Sequence, residues 1–249
     1  MKNYLLMTAT VTPPTDEAIL TRRDPLLRLN DYIGAFEFYL NDQLTHIDGI
    51  IFVDNSNNPL KEIKELTKNY QGPKQIEVIS FYGLDYPAEY TRGYGELKLI
   101  EYAYENSKLM QQMSNGDRFW KVTGRLKVLS INKIIKSSLE YFELCADFRY
   151  KRKQVDTRLI ALNIKGYKKY LYKNSHEMQG QIIESWLFNK LTPMLQKKEN
   201  LHILTEFRVV PRFEGFAGNM SVNYMAPKQR LIYFLRSIYL TTKYFFKPN

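Results

Sequence analysis

Ile47-Asp48-Gly49-Ile50-Ile51-Phe52-Val53, closed by Asp54-Asn55-Ser56-Asn57-Asn58-Pro59, is the stretch on which the fold class turns. A short apolar run bounded by turn residues reads as a buried strand, and the Asp/Asn/Ser/Pro cluster after it as a polar turn. Working outward, Tyr4–Val11 reads as a strand before it, with Arg28–Leu44 between them as a helix whose apolar residues Leu29, Ile33, Phe36, Leu40 and Leu44 share one face. Beyond the turn, Leu60–Tyr70 is predicted to be a helix and Gln75–Phe81 a third strand. Tyr94–Met113 follows as a long helix entered through Arg92-Gly93, and Phe119–Thr123 as a fourth strand. Strands alternating with helices in this way predict an α/β fold, a Rossmann-type, mainly parallel sheet flanked by helices.

The second half is predicted to add a strand at Gln154–Asn163, an amphipathic helix at Glu177–Gln196, a strand at His202–Val210 and a terminal helix at Gln229–Phe246. Ser221–Tyr224 could also pair as a strand, with no partner evident. No repeat or low-complexity linker divides the chain. Residues 1–130 form the expected ligand-binding half, residues 131–228 the other half of the same domain, and residues 229–249 an appended basic, aromatic helix.

With 249 residues, 44% apolar and 25% charged, the chain can bury a sizeable core, which excludes a disordered or fibrous protein. One cysteine, Cys145, excludes a disulfide framework and a cysteine-based zinc site; with three histidines, any metal site would rest mainly on carboxylates. The N-terminal apolar run is too short for a signal h-region, and no run of 18 apolar residues occurs. A soluble or peripheral protein in a reducing compartment is expected. The net charge of +10 calls for a polyanionic partner. The positive charge is uneven: Arg118–Lys136 holds six basic residues and no acid, Gly215–Asn249 five and no acid.

Open α/β sheets bind ligands beyond the carboxyl ends of their strands, and three segments lie at such ends. In the first, Asp54, Asn55 and Ser56 could meet a ribose or a base edge; the same residues fit an Asx turn and helix cap. The second is Arg92-Gly93-Tyr94-Gly95-Glu96, where glycines and an arginine open a helix whose free N–H groups favour phosphate; the glycines could also serve only a tight loop. The third is Lys121-Val122-Thr123-Gly124-Arg125, whose cations and Thr123 hydroxyl around Gly124 suit a diphosphate, or are surface charge. Thr8, at the end of the first strand, joins the candidate set.

On these three segments, in this order, the chain resembles GT-A-type glycosyltransferases, in particular those of bacterial capsule and lipopolysaccharide (O-antigen) gene clusters. The resemblance covers about the first 130 residues well and the rest loosely. It implies a nucleotide-sugar donor in the first half and a glycan or lipid-linked acceptor in the second. The class carries an Asp-x-Asp motif for Mg²⁺ or Mn²⁺ after the fourth strand, where this chain has Thr123-Gly124-Arg125. No cofactor is therefore expected, with Lys121 and Arg125 neutralising the donor phosphates; Asp147 and Asp156 leave a metal open.

Glycosyl transfer needs a carboxylate to deprotonate the acceptor or to stabilise charge at the sugar carbon. The candidates are Asp156, ranked first beside Arg158, then Glu184 and Glu214, with Arg158 and Arg212 as acceptor contacts. The terminal helix mixes Leu231, Phe234, Leu235, Ile238 and Tyr239 with Arg230, Arg236 and Lys243. That composition suits an anionic membrane interface, placing the protein on the cytoplasmic side of the plasma membrane, or a helix closing the core. Two other classes compete: a nucleotide-sugar hydrolase or nucleotidyltransferase, and a nucleic-acid-binding protein. The charge and 19 tyrosines fit the last, but no nucleic-acid-binding signature does, so nucleic acid is not an expected partner.

Overall fold

A computed structural model describes residues 1–14, 21–87, 89–90, 92–197, 202–216 and 224–245. In chain order, β1 (Asn3–Ala9), α1 (Pro25–Leu40), β2 (Gly49–Asp54), α2 (Lys61–Asn69), β3 (Gln75–Ser80), α3 (Arg92–Asn106), α4 (Lys108–Gln111) and β4 (Arg118–Thr123) make up the first half. There follow β5 (Lys127–Val128), α5 (Ile131–Ser137), β6 (Leu144–Arg149), β7 (Gln154–Asn163), α6 (Ile164–Tyr170), α7 (Ile183–Gln196), β8 (Ile203–Leu204), β9 (Phe213–Glu214) and α8 (Pro227–Phe245).

Seven strands form one sheet in the order β3-β2-β1-β4-β7-β6-β8, and β5 pairs with β9 apart from it. The strands β1 to β4 run parallel, β6 and β8 run parallel to each other, and β7 is antiparallel to both β4 and β6. The α/β, mainly parallel sheet expected from sequence is the observed one. Every residue of β1 and β2 is buried, because helices cover both faces. Alternation sends Leu5, Met7, Ile50, Phe52, Trp120 and Val122 to a core shared with α1, α2 and α5. Tyr4, Leu6, Ile51 and Phe119 go to the other core, shared with α3, α6 and α7.

Local chemistry explains where the elements differ from expectation. Asp24 caps α1, accepting from Leu26 N at 2.8 Å and Leu27 N at 3.2 Å, with Pro25 just inside the helix. The helix stops at Leu40, short of Leu44, because the Asn41 side chain takes the Gln43 N–H at 2.9 Å and turns the chain. The predicted helix Glu177–Gln196 begins only at Ile183; Gly180, at φ +65°, separates it from a 3-10 turn over Ser175–Met178. Of the predicted strand His202–Val210, only Ile203–Leu204 pairs, since the Phe207 N–H turns aside to Asp147 Oδ1 at 3.2 Å. The strand β6 has no counterpart in the sequence reading. Of the segment Ser221–Tyr224, residues 221–223 lie outside the described residues and Tyr224 sits in a turn.

The reversed strand positions the site. The carboxyl ends of β1 to β4 and of β6 share one edge, and the antiparallel β7 brings its amino end, Gln154–Arg158, to that same edge. The β6–β7 pairing jumps from Ala146–Ile160 to Asp147–Asp156, leaving Thr157, Arg158 and Leu159 without partners on β6. Such a bulge re-aims side chains. Since β1 lies between β2 and β4, the order reverses at the ends of β1 and β4, the place where open sheets leave a crevice.

Candidate functional site

The first candidate turn is held from within. Asp54 is fully buried and accepts from Val11 N at 2.8 Å, Ser56 N at 3.0 Å, Asn58 N at 3.1 Å and the Ser56 hydroxyl at 2.9 Å. Burial raises its pKa, and these four donors oppose the rise. Asp54 thus ties the loop after β1 to the loop after β2 and has no oxygen to spare for a ribose, a correction to the direct role read from sequence. Asn55 receives the Thr10 hydroxyl at 2.7 Å, and the Ser56 hydroxyl also accepts from Thr12 N at 3.0 Å. Thr8 is buried, its hydroxyl donating to Val122 O at 3.2 Å.

The glycines of the second segment serve packing. A Cβ on Gly93 would lie 2.5 Å from Met178 Cε and 2.9 Å from Ile183 N; one on Gly95 would lie 2.9 Å from the Tyr86 ring. They let α3 approach the start of α7 and the loop after β3. Arg92 is exposed at the start of α3, Tyr94 packs its ring 4.4 Å from that of Tyr90, and Thr91 lies outside the described residues.

Lys121 is the largest departure. Its side chain is 1% exposed, pairs with Glu96 and donates to Thr157 O at 2.8 Å. A phosphate at Lys121 would have to compete with Glu96 for an ammonium that is already buried and neutralised. Arg125 differs: its Nη1 donates to Phe216 O at 2.9 Å, while its Nε is buried with no hydrogen-bond partner among the described residues. Gly124 lies where a Cβ would meet Thr8 O at 2.8 Å and its own N–H donates to that oxygen at 2.9 Å, closing β4 onto β1 beside the partly buried Thr123.

Among the carboxylates, Asp156 is clamped by two arginines. Arg158 binds it through Nε at 2.8 Å and Nη2 at 2.5 Å, and Arg149 Nη2 lies at 2.5 Å. Burial opposes ionisation there, but the arginines prevail and hold the pKa down at about 2. So weak a base is poorly suited to take a proton from an acceptor hydroxyl near neutral pH, whereas an ionised carboxylate remains compatible with the other expected role, stabilising positive charge at a sugar carbon. The Arg158 guanidinium is sandwiched between the rings of Phe213 at 4.2 Å and Tyr224 at 4.7 Å, so it supports Asp156 and is committed away from an acceptor.

Glu184 is in the opposite condition. It stands in the first turn of α7, which packs on β7, and its Oε1 receives the Thr157 hydroxyl at 3.3 Å. Burial raises its pKa, the Glu96 charge adds to the rise, and Lys121 and Thr157 only partly offset them. Four side chains from four elements thus meet at the sheet edge: Glu96, Lys121, Thr157 and Glu184. Thr157 escaped the sequence reading because its position depends on the β7 bulge. Glu214 lies on the separate β5–β9 ribbon, paired with Lys127 at 2.9 Å, and Arg212 beside it is exposed.

Among the described residues, the carboxylates at the sheet edge are already engaged by cations and hydrogen bonds. Among the described residues, no group of three or more histidine, cysteine, aspartate or glutamate side chains is placed so that it could hold a metal ion. Of the two carboxylates that left a metal open, Asp156 is held by Arg149 and Arg158, and Asp147 by Arg236 at 2.7 Å.

No family model matches the chain, and no curated protein matches it. Solved structures resemble it distantly. A protein from Desulfovibrio desulfuricans assigned as a nucleotide-diphospho-sugar transferase is 11% identical, with 98% of this chain and 99% of that one covered, at a TM-score of 0.45. For a 4-diphosphocytidyl-2C-methyl-D-erythritol synthase the values are 13%, 94%, 97% and 0.45. For a cytidylyltransferase from Leptospira borgpetersenii they are 10%, 82%, 75% and 0.44. Likeness at this level says nothing about what this chain binds or does.

Proposed function

We propose that this chain is a glycosyltransferase, moving a sugar from a nucleotide-activated donor to a glycan or lipid-linked acceptor in the assembly of bacterial cell-surface polysaccharide, capsule or lipopolysaccharide. The observation that carries the reading is Glu184: a carboxyl with a raised pKa, beside an ion pair, at the edge where open α/β sheets bind ligands. In the reaction, an acceptor hydroxyl oxygen bonds to the anomeric carbon as the bond from that carbon to the diphosphate oxygen breaks. The hydroxyl proton passes to Glu184, and the charge left on the diphosphate is met by Arg125, whose Nε has no partner among the described residues. Lys121 and Glu96 keep the pocket's electrostatics fixed, and no step requires a metal.

The membrane surface belongs to the same reading. On α8, Leu231, Phe234, Leu235, Ile238 and Tyr239 are each at least half exposed and share one face. The opposite face is anchored by buried Leu240, by Arg236 on Asp147 and by Lys243 and Tyr244 on Glu206. An apolar stripe flanked by Lys228 and Arg230, on a segment without acids, suits an anionic bilayer such as the inner face of the plasma membrane, where lipid-linked acceptors lie. Among the described residues, no helix is long and apolar enough to cross a membrane.

A panel of UDP-, GDP-, CMP- and TDP-sugars, incubated with the protein in EDTA and read by mass spectrometry for nucleotide release, tests the reaction. Release of nucleotide from a sugar donor that Glu184→Gln abolishes is the expected result. Pyrophosphate release from a nucleoside triphosphate and a sugar phosphate would overturn it in favour of nucleotidyl transfer.

A further inference from the structure

A cleft of about 300 Å³ opens between the loop after β3 and the outer face of α3, apart from the Glu184 cluster. Its floor is Phe81 stacked on Tyr102, with ring centroids 3.7 Å apart and planes 7° from parallel. The Tyr86 and Tyr94 rings stand 5.3 Å apart along it, and Tyr82, 61% exposed, stands at the rim. Leaving so large a ring in water gains nothing for folding, since burying it would be favourable.

The polar lining is lopsided. Asp85, Glu101 and Glu105 supply three carboxylates against the single cation Lys98, which already pairs with Glu101 at 3.2 Å. In a chain of net charge +10, this cleft has a local acid excess, so it repels diphosphates and other anions. Flat aromatic faces bordered by carboxylate acceptors fit a neutral ring with an apolar C–H face and a rim of hydroxyl donors.

We infer that this cleft binds an uncharged sugar ring, its C–H face against the tyrosines and its hydroxyls donating to Asp85 and its neighbouring carboxylates. The cleft is rigidly joined to the candidate site. Phe81 N donates to Asp54 O at 3.0 Å, Asn57 N to Phe81 O at 2.8 Å and Gly83 N to Asn55 O at 3.0 Å, fixing its wall to the Asp54 turn. Tyr94 lines it two residues before Glu96 on α3. Under the glycosyltransferase reading, on which only this last identification rests, the bound ring is a sugar of the glycan acceptor.

Saturation-transfer NMR on the full chain, without donor, tests it with the methyl glycosides of glucose, galactose, mannose and N-acetylglucosamine at millimolar concentration. The expected result is transfer to the ring protons of at least one glycoside, weakened roughly tenfold in Tyr82→Ala and in Asp85→Asn. Both positions are exposed, so both variants keep the core intact. Transfer to none of the four, or transfer undiminished in both variants, would overturn the assignment. Because no turnover is measured, glycoside binding without sugar transfer would keep the cleft and remove only the glycosyltransferase reading.

Discussion

Asp147 and Asp156 face each other across β6 and β7, and each is claimed by different arginines. Asp156 is held by Arg149 and Arg158 from within the sheet edge, whereas Asp147 is held at 2.7 Å by Arg236 of α8. The terminal helix therefore supplies the charge that lets Asp147 lie buried next to another carboxylate. Tyr233, also on α8, accepts the Phe213 N–H at 3.3 Å, and Phe213 is one of the rings that enclose Arg158. Through these two contacts α8 braces the side of the site that Asp156 and Arg158 occupy.

Removing the cation is therefore expected to cost more than a surface ion pair would. Arg236→Ala leaves Asp147 buried and uncompensated, a loss of about 3 kcal/mol for a broken buried pair. The double variant Arg236→Ala/Asp147→Asn removes the orphaned charge and should recover more than half of that. Urea unfolding of the two variants and the parent decides it; equal stability of single and double variants would mean that Asp147 is neutral already.

Glu184→Gln is expected to lower kcat for sugar transfer by about 10² to 10⁴, the range of a lost general base, with the donor's Kd nearly unchanged. Glu184→Asp should restore part of the rate. Asp156→Asn should instead lower stability, since it leaves Arg149 and Arg158 unpaired beside a buried strand. Steady-state kinetics and thermal melts on the three variants separate these outcomes. Transfer at the parent's rate in Glu184→Gln would remove Glu184 from the chemistry.

The first half of the fold was legible because β1, β2 and β4 are buried on both faces and its strands are punctuated by turn residues, so pattern and pairing agree. The carboxyl-end rule then pointed to the sheet edge at which Glu96, Lys121, Thr157 and Glu184 meet. What stayed hidden depends on direction and contact. Nothing in Gln154–Asn163 reveals that β7 runs backwards, yet that reversal carries Asp156, Thr157 and Arg158 to the site edge. Lys121 reads in sequence as a free cation at a strand end, and only the approach of α3 supplies Glu96 to neutralise it. The two glycines of α3 suggested a phosphate loop, whereas their neighbours Met178, Ile183 and Tyr86 come from distant or irregular segments that periodicity does not place. Nothing in the sequence distinguishes the surroundings of Glu184 from those of Asp156 and Glu214; burial and the neighbouring Glu96 raise its pKa, whereas two arginines lower that of Asp156.

Stability should fall as pH drops below about 5. Burial opposes ionisation of Glu143, but the Lys165 and Tyr170 hydrogen bonds and the Lys169 charge hold its pKa at about 2, against an ordinary 4.5. Asp156 is likewise held at about 2, against an ordinary 3.8. Both native carboxylates resist protons that the unfolded chain accepts, so their stabilisation is full above the unfolded values and is lost as pH falls through them towards 2. Asp54 and Asp147, raised by burial, act in the opposite sense and blunt the loss. Urea midpoints at pH 7, 5 and 3 should therefore decline in the parent and decline less steeply in Glu143→Gln. An identical slope in both would show that Glu143 binds protons equally in the native and unfolded states, so that its native pKa is not lowered.

The exposed stripe of α8 gives the last prediction. Phe234 and Leu235 are 61% and 56% exposed and make no part of either core, so replacing both with glutamate should leave the melting temperature within a few degrees of the parent. Against phosphatidylglycerol vesicles the same change removes apolar area and adds charge of the repelled sign. Each buried methylene contributes about 0.8 kcal/mol to interfacial binding, so partitioning should drop by at least roughly a hundredfold. Binding of the parent should also weaken in phosphatidylcholine vesicles and at high salt, because Lys228 and Arg230 flank the stripe. Co-sedimentation measures all of these. If the parent fails to bind anionic vesicles, and size-exclusion chromatography with light scattering shows a dimer that the double variant breaks, the stripe covers a second copy of this chain and the membrane has no part in it.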